Sequence, residues 1–252
     1  MASTRSRAFT RIGHKGADKL VPGNTVASFE KAVEVGVDVI EFDVLWLESG
    51  HPDLPPEQRT PLVVAHDWHA AANKAELTLD EALEAFTRPP LEEVVPNLDI
   101  KLPGREDEIV ALIRKHGLTG RVTISTMESS TVRAIGELEP EISLGWTVPR
   151  VTKDWLSKPA WMKPALLLGL ASVRRRMPGL VKKGLRDLGV EVDAIWAFHG
   201  VVTPRLVEVT READVKLNVW TIDDPQIIDR MLALGVDGVC SNDPRLFSDR
   251  AG

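Results

Sequence analysis

The residues best suited to chemistry are two histidines and three carboxylates. His14 stands in Gly13-His14-Lys15-Gly16, a carboxylate pair in Glu41-Phe42-Asp43, and a second imidazole in His66-Asp67. A β-strand sends alternate side chains to one face, so Glu41 and Asp43 point the same way while Phe42 faces the opposite layer. Two carboxylates aimed at one spot repel each other unless a cation lies between them. Asp99 and Lys101, in Asn97-Leu98-Asp99-Ile100-Lys101, repeat the same spacing with opposite charge. One reading of that pair is a salt-bridge network; the other gives Asp99 to the cation as a third oxygen ligand and Lys101 to an anionic substrate. Hard oxygen donors point to Mg2+ or Ca2+ rather than to a thiolate zinc site. An imidazole ordinarily titrates near pH 6.5, so two of them can divide the roles of acid and base at neutral pH. A lone histidine is more often a metal ligand or a surface residue, but two flanking an acidic pair argue for chemistry. A cation, a lysine and two imidazoles around one point suit a phosphodiester, whose charge must be neutralised and whose leaving oxygen needs a proton.

These groups must be held by an ordered framework, and the hydrophobic periodicity supplies one. Val26, Phe29, Ala32 and Val33 recur at helical spacing after Pro22-Gly23-Asn24-Thr25, with Asn24 or Thr25 as cap and Gly36 as stop. Val37 to Leu45 reads as a buried strand. The run from Trp46 to Pro61, rich in proline and polar residues, reads as the exposed loop of a hairpin returning through Leu62 to Ala65. Leu79 to Phe86 is helical, with Thr78 and Glu81 in capping-box register. Further strands are expected at 94–101, 121–126, 142–146, 193–198, 216–222 and 237–241. Helices are expected at 105–116, 129–138, 204–213 and 225–234, with a closing helix from Pro244. Between Val151 and Leu188 the spacing predicts one or two helices broken by Pro159, Pro164 and Pro178. Strand and helix thus alternate about eight times, the pattern of a closed (β/α)8 TIM barrel; a doubly wound open sheet is the runner-up. Polar residues fall at the C-terminal ends of the strands, which in a barrel converge on one mouth. Residues 1–252 are expected to form one domain.

Composition excludes several classes. The chain has 252 residues, 43% hydrophobic and 27% charged, with 31 Lys and Arg against 37 Asp and Glu. A net charge of -6 gives no basic field for nucleic acid. Cys240 is the single cysteine, so no intrachain disulfide forms. The N-terminus lacks the apolar core of a signal peptide, and the longest apolar run, Ala165 to Val173, is too short to cross a bilayer, so a cytoplasmic location is expected.

Taken in order, His14-Lys15-Gly16, Pro22-Gly23-Asn24-Thr25, Glu41-Phe42-Asp43-Val44, His66-Asp67, Leu98-Asp99-Ile100-Lys101, Val219-Trp220-Thr221 and Gly235-Val236-Asp237-Gly238-Val239 resemble the glycerophosphodiester phosphodiesterase family across nearly the whole chain. The resemblance implies a metal-dependent enzyme that hydrolyses glycerophosphodiesters to glycerol 3-phosphate and an alcohol. It implies His14 and His66 as the acid/base pair, Glu41, Asp43 and Asp99 as metal ligands, and Lys101 as a phosphate contact, with Lys15 beside the substrate. The family usually carries Arg at Lys15, Glu at Gly23 and Glu at Asp99; sphingomyelinase D-type phospholipases similarly carry Asp there. Lys15 keeps the charge but loses the bidentate fork. The family's insertion after His-Asp is nearly absent, since Thr78-Leu79-Asp80-Glu81 follows within about a dozen residues. Action on a lysophospholipid or other lipid phosphodiester is the alternative, as is a phosphate-binding relative without turnover. Trp220 stands open between core residue and pocket wall, while Ser125, Trp146 and His199 at other strand ends read as wall rather than chemistry. The tryptophans and basic runs within 151–188 would suit peripheral contact with an anionic membrane, although an outer helix with a solvated basic face is the preferred reading.

Overall fold

The computed structural model describes residues 9–69, 77–150, 163–248 and 250. Its strands are β1 (Thr10–His14), β2 (Val39–Leu45), β3 (Val63–Val64), β4 (Val95–Ile100), β5 (Thr123–Thr126), β6 (Ser143–Val148), β7 (Ala194–Phe198), β8 (Lys216–Trp220) and β9 (Gly238–Ser241). All but β3 pair in parallel, and β1 pairs with both β2 and β9, so eight strands close into a barrel. The helices are α1 (Val26–Val35), α2 (Leu79–Ala85), α3 (Glu106–Lys115), α4 (Ser129–Leu138), α5 (Lys163–Leu188), α6 (Pro204–Glu212) and α7 (Pro225–Leu234). After β9 the expected closing helix is only a 3-10 turn, Pro244–Phe247. The barrel is the expected architecture, and the open sheet is excluded by the β1–β9 pairing.

Local chemistry explains the helix bounds. The Thr25 side chain accepts the Ser28 N–H at the start of α1, and Gly36, at φ 98°, supplies the left-handed residue that ends it. Thr78 and Glu81 close the full capping box of α2. The helices bury two large apolar layers against the barrel. One, under α1 to α4, is built around the stacked rings of Phe42 and Phe86, 5.7 Å apart, with Phe29 of α1 against both. Phe42 therefore faces outward, and its neighbours Glu41 and Asp43 face into the barrel. The other layer, under α5 to α7, gathers Val181, Leu206 and Ile228. Inside the barrel Ile12, Ala194, Trp196 and Cys240 form a small plug below the mouth.

Two further expectations change. Pro178 does not break α5, which runs continuously from Lys163 to Leu188 with that proline inside. Met177 and Val181 on either side are buried against the barrel, and such burial offsets the roughly 3 kcal/mol that an interior proline costs. Pro164 sits in the first turn, where its missing N–H has no helical partner to lose; Pro159 lies outside the described residues. The stretch from Trp46 to Pro61 is not simply an exposed loop. Trp46 is 7% exposed and its indole N–H donates to Pro103 O. The fully buried Arg105 donates to Gly50 O and Thr60 O while gripping Glu108, so the loop is tied down from the β4–α3 connection. The returning β3 does pair antiparallel with the end of β2, Val44 with Val64 and Leu45 with Val63. Among the described residues no helix is long and apolar enough to cross a membrane.

Candidate active site at the barrel mouth

Register decides which side chains meet. Asp43 of β2 lies opposite Asp99 of β4, which lies opposite Ser125 of β5, and on the other side His14 of β1 lies opposite Glu41. Carboxylate oxygens of Glu41, Asp43 and Asp99 consequently lie within 4.8 Å of one another. Each is oriented by a neighbour. Lys15 N–H donates to Glu41 Oε2 at 3.1 Å, Asn24 Nδ2 donates to Asp43 Oδ2 at 2.9 Å, and Ser125 Oγ donates to Asp99 Oδ1 at 3.2 Å. Asn24 also accepts the Asp43 backbone N–H, forming a two-point clamp.

Lys101 answers the charge of this cluster. Its Nζ lies 2.6 Å from Asp43 Oδ1 and also contacts Asp99 Oδ2. Asp43 Oδ1 is buried without a directed hydrogen bond, so its only close partner among the described residues is that ammonium, held as an ion pair. Burial works to raise the Asp43 carboxyl, but the fields of Lys101, His66, His14 and Lys15 override it and hold the carboxyl well below the ordinary range. Glu41 goes the other way: burial and the adjacent negative charges of Asp43 and Asp99 push it well up. Burial disfavours the Lys101 ammonium, yet the three carboxylates more than compensate and keep it charged. Three hard oxygen donors converging on one point, with a single ammonium set against three carboxyl groups, fit a divalent cation.

His14 Nε2 is 3.9 Å from Glu41 Oε2, and its other ring nitrogen lies 2.6 Å from Asn242 Oδ1. Burial lowers its pKa below the ordinary imidazole value, so the ring is neutral at neutral pH. His66 follows β3, near enough for its charge to act on Asp43. Its Nδ1 pairs with Asp67 Oδ2 at 3.2 Å in an open setting, with the two side chains 55% and 56% exposed. The two histidines therefore occupy different environments, one enclosed and one solvated.

Lys15 adopts φ 52°, which turns the chain sharply after β1 and aims its N–H at Glu41. Gly23 has a steric cause: a Cβ there would lie 2.5 Å from Asp18 Oδ1 and 2.6 Å from Lys15 Cβ. The Asp18 carboxylate instead accepts the Gly23 N–H. Trp220 is partly buried over the interior plug, its indole N–H donating to Trp196 O at 3.1 Å and its ring 5.8 Å from Phe198. Trp146 is no pocket wall. Its ring packs outward between β6 and α5, where a Cβ on Gly184 would come within 2.2 Å of it. His199, in the 3-10 turn after β7, packs tilted against the Phe198 ring at 4.5 Å and keeps a buried Nδ1 with no hydrogen-bond partner among the described residues. Sequence reasoning passed over Asn24, Asn242 and Asp223. Asn24 is legible as a cap candidate and as part of Pro22-Gly23-Asn24-Thr25, and Asn242 lies one residue beyond the end of β9.

A closed parallel barrel that gathers three carboxylates, a lysine and an imidazole at the C-terminal ends of its strands has the architecture of the TIM-barrel enzymes, whose active sites lie at that face. The chain matches the Glycerophosphoryl diester phosphodiesterase family over residues 14–54 and 58–246, and it belongs to that family. It is 28% identical to a glycerophosphodiester phosphodiesterase of Caldanaerobacter subterraneus subsp. tengcongensis, covering 92% of this chain and 93% of the relative. It is 24% identical to the probable glycerophosphodiester phosphodiesterase 2 of Mycobacterium tuberculosis, covering 94% and 89%. The fold is shared with an Oleispira antarctica phosphodiesterase solved in complex with the product sn-glycerol-3-phosphate, at TM-score 0.65 and 19% identity over 96% of each chain. A glycerophosphodiester phosphodiesterase structure from Parabacteroides distasonis superposes at TM-score 0.67 with 19% identity, covering 94% of each chain.

Proposed function

We propose that this chain hydrolyses glycerophosphodiesters to glycerol 3-phosphate and an alcohol, with His14 and His66 as proton-transfer groups and Glu41, Asp43 and Asp99 as ligands of Mg2+ or Ca2+. The observation that carries the reading is the convergence of three carboxylates, Lys101 and the neutral His14 at one end of the barrel. The cation, when bound, supplies charge neutralisation for the phosphate and polarises its oxygens. Lys15 and Lys101 add positive charge around the anionic substrate. One imidazole takes a proton from the attacking water as its oxygen bonds to phosphorus. The other gives a proton to the alcohol oxygen as the P–O bond breaks. Trp220 and Phe198 offer an apolar wall at the mouth for the glycerol or alcohol part.

His14→Ala and His66→Ala should each reduce turnover of a glycerophosphocholine-type substrate by roughly 10²–10⁴, the contribution of one positioned acid or base. Full turnover in either variant would sink the assignment. Assaying deacylated beside acylated substrates, with chelator and with each cation, identifies the substrate class and the ion. The same proposal places the protein in the cytoplasm and makes contact with an anionic membrane through 151–188 secondary. Cell fractionation and vesicle sedimentation test those two parts.

A further inference from the structure

The hydrogen bonds behind His14 lead away from the metal cluster and fix a property of the imidazole that its own surroundings leave open. Asn242 follows β9 and reaches across to the end of β1, where its Oδ1 lies 2.6 Å from His14 Nδ1. Its backbone is anchored, since Asn242 O accepts the Lys19 N–H at 3.0 Å. Its side-chain Nδ2 donates to Asp223 Oδ2 at 2.7 Å, and its backbone N–H donates to Asp223 Oδ1 at 2.9 Å. Ser241 Oγ donates to the same Oδ1 at 2.9 Å. Every partner of Asp223 in this set is a donor, as suits an ionised carboxylate, which can only accept. The amide of Asn242 must therefore turn its NH2 toward Asp223 and its oxygen toward His14. An amide oxygen can only accept, so His14 Nδ1 must carry the proton. Nε2 is then left with its lone pair, on the side of the ring that faces Glu41 and the mouth.

We infer that Asn242 and Asp223 are positioning residues that hold His14 as its Nδ1–H tautomer, with the Nε2 lone pair turned toward the mouth. This rests on the phosphodiesterase reading for its catalytic half, but the tautomer itself is measurable without substrate. Asp223 is exposed, and its replacement by the isosteric amide leaves the apolar layers untouched.

The experiment compares three forms of the whole protein by two-bond ¹⁵N–¹H correlation of the His14 ring and by steady-state kinetics. The wild type should show Nδ1–H. Asp223→Asn places an NH2 against the NH2 of Asn242 and so flips the Asn242 amide. It should move the His14 proton to Nε2 and lower kcat by on the order of 10²-fold or more with KM little changed, the expected cost of a wrong tautomer. In the exchanged double variant Asn242→Asp with Asp223→Asn, the new carboxylate at 242 accepts both from His14 and from the amide at 223. It should restore Nδ1–H and most of kcat, which no merely structural role would predict. Retention of the Nδ1–H tautomer and of kcat in Asp223→Asn overturns the inference, as does a double variant no better than the single one. A reversed tautomer with undiminished kcat overturns the positioning role of Asn242 and Asp223 in the reaction. An inactive wild type with an Nδ1–H ring defeats the phosphodiesterase reading and leaves the positioning assignment standing.

Discussion

Lys101 is the residue at which charge and chemistry can be separated. Its ammonium is 2.6 Å from Asp43 Oδ1 and touches Asp99, two of the three carboxylates proposed to hold the divalent ion. Asp43 is fully buried and held in its charged form, so some cation has to stay with it; an unpaired buried charge is among the costliest features a fold can carry. A divalent ion brings twice the charge to the same oxygens and must share them with the ammonium or push it aside. Lys101→Met keeps the aliphatic stem and removes that competitor. It should raise affinity for Mg2+ or Ca2+ by about tenfold, ~1.4 kcal/mol, while lowering the melting temperature of the metal-free protein. Titration calorimetry on both proteins decides the point, and equal affinities would mean that ammonium and ion do not compete for these oxygens.

At the scale of elements, α5 (Lys163–Leu188) offers a paired test of packing against propensity. Gly179 and Gly184 both lie in its interior, where Ala is favoured over Gly by about 1 kcal/mol. A Cβ on Gly179 meets nothing within 4 Å, so Gly179→Ala should stabilise by about 0.5–1 kcal/mol. A Cβ on Gly184 would lie 2.2 Å from the Trp146 ring, which is wedged between helix and barrel. There overpacking costs about 1–3 kcal/mol, enough to cancel the propensity gain, and Gly184→Ala should lower the midpoint of chemical denaturation. Stabilisation by both substitutions would show that the ring can move aside. The same helix marks where sequence reasoning succeeds and where it stops. Period and caps match α1 and α2 closely, because each is set by neighbours within a few residues, Thr25 and Gly36, Thr78 and Glu81; α7 matches on period alone. Pro178 misled because the contacts that keep the helix intact lie outside it, with Trp146 of β6, the turn after β7 and α6. Glu41, Asp43 and Asp99 were legible because strand alternation is a local rule. Asn242 and Asp223 were not, because their meaning depends on β9 closing against β1, a contact spanning 228 residues between Asn242 and His14.

For the molecule as a whole, stability should respond to pH and to divalent ions through different groups. Burial would raise the Asp38 carboxyl, but its hydrogen bonds from the Arg11 side chain and backbone hold it below 3.8. A carboxyl lowered in the folded state binds fewer protons than in the unfolded chain, so its contribution is present above pH 3.8 and fades as pH falls through the folded value. Asp38 is partly exposed, so solvent limits the pair to ~0.5–1 kcal/mol, or about 1–4 °C in a chain of this size. Calorimetry should find Asp38→Asn that much less stable at pH 7 and the gap closing in strong acid. A gap constant with pH would assign the effect to shape rather than charge. The ion effect should be larger. A cation that binds the folded carboxylate cluster and not the unfolded chain adds ~2.7 kcal/mol at a hundred times its dissociation constant, roughly 5–11 °C here. Glu41→Gln replaces one of the three carboxylates by a neutral amide and should shrink that rise, whereas Asp38→Asn, which lies at the opposite end of β2 from the mouth, should leave it intact. Scans in chelator and in saturating Mg2+ or Ca2+ therefore test the cation site without any assay of turnover. A melting temperature that ignores both ions would mean that the three carboxylates serve Lys101 alone.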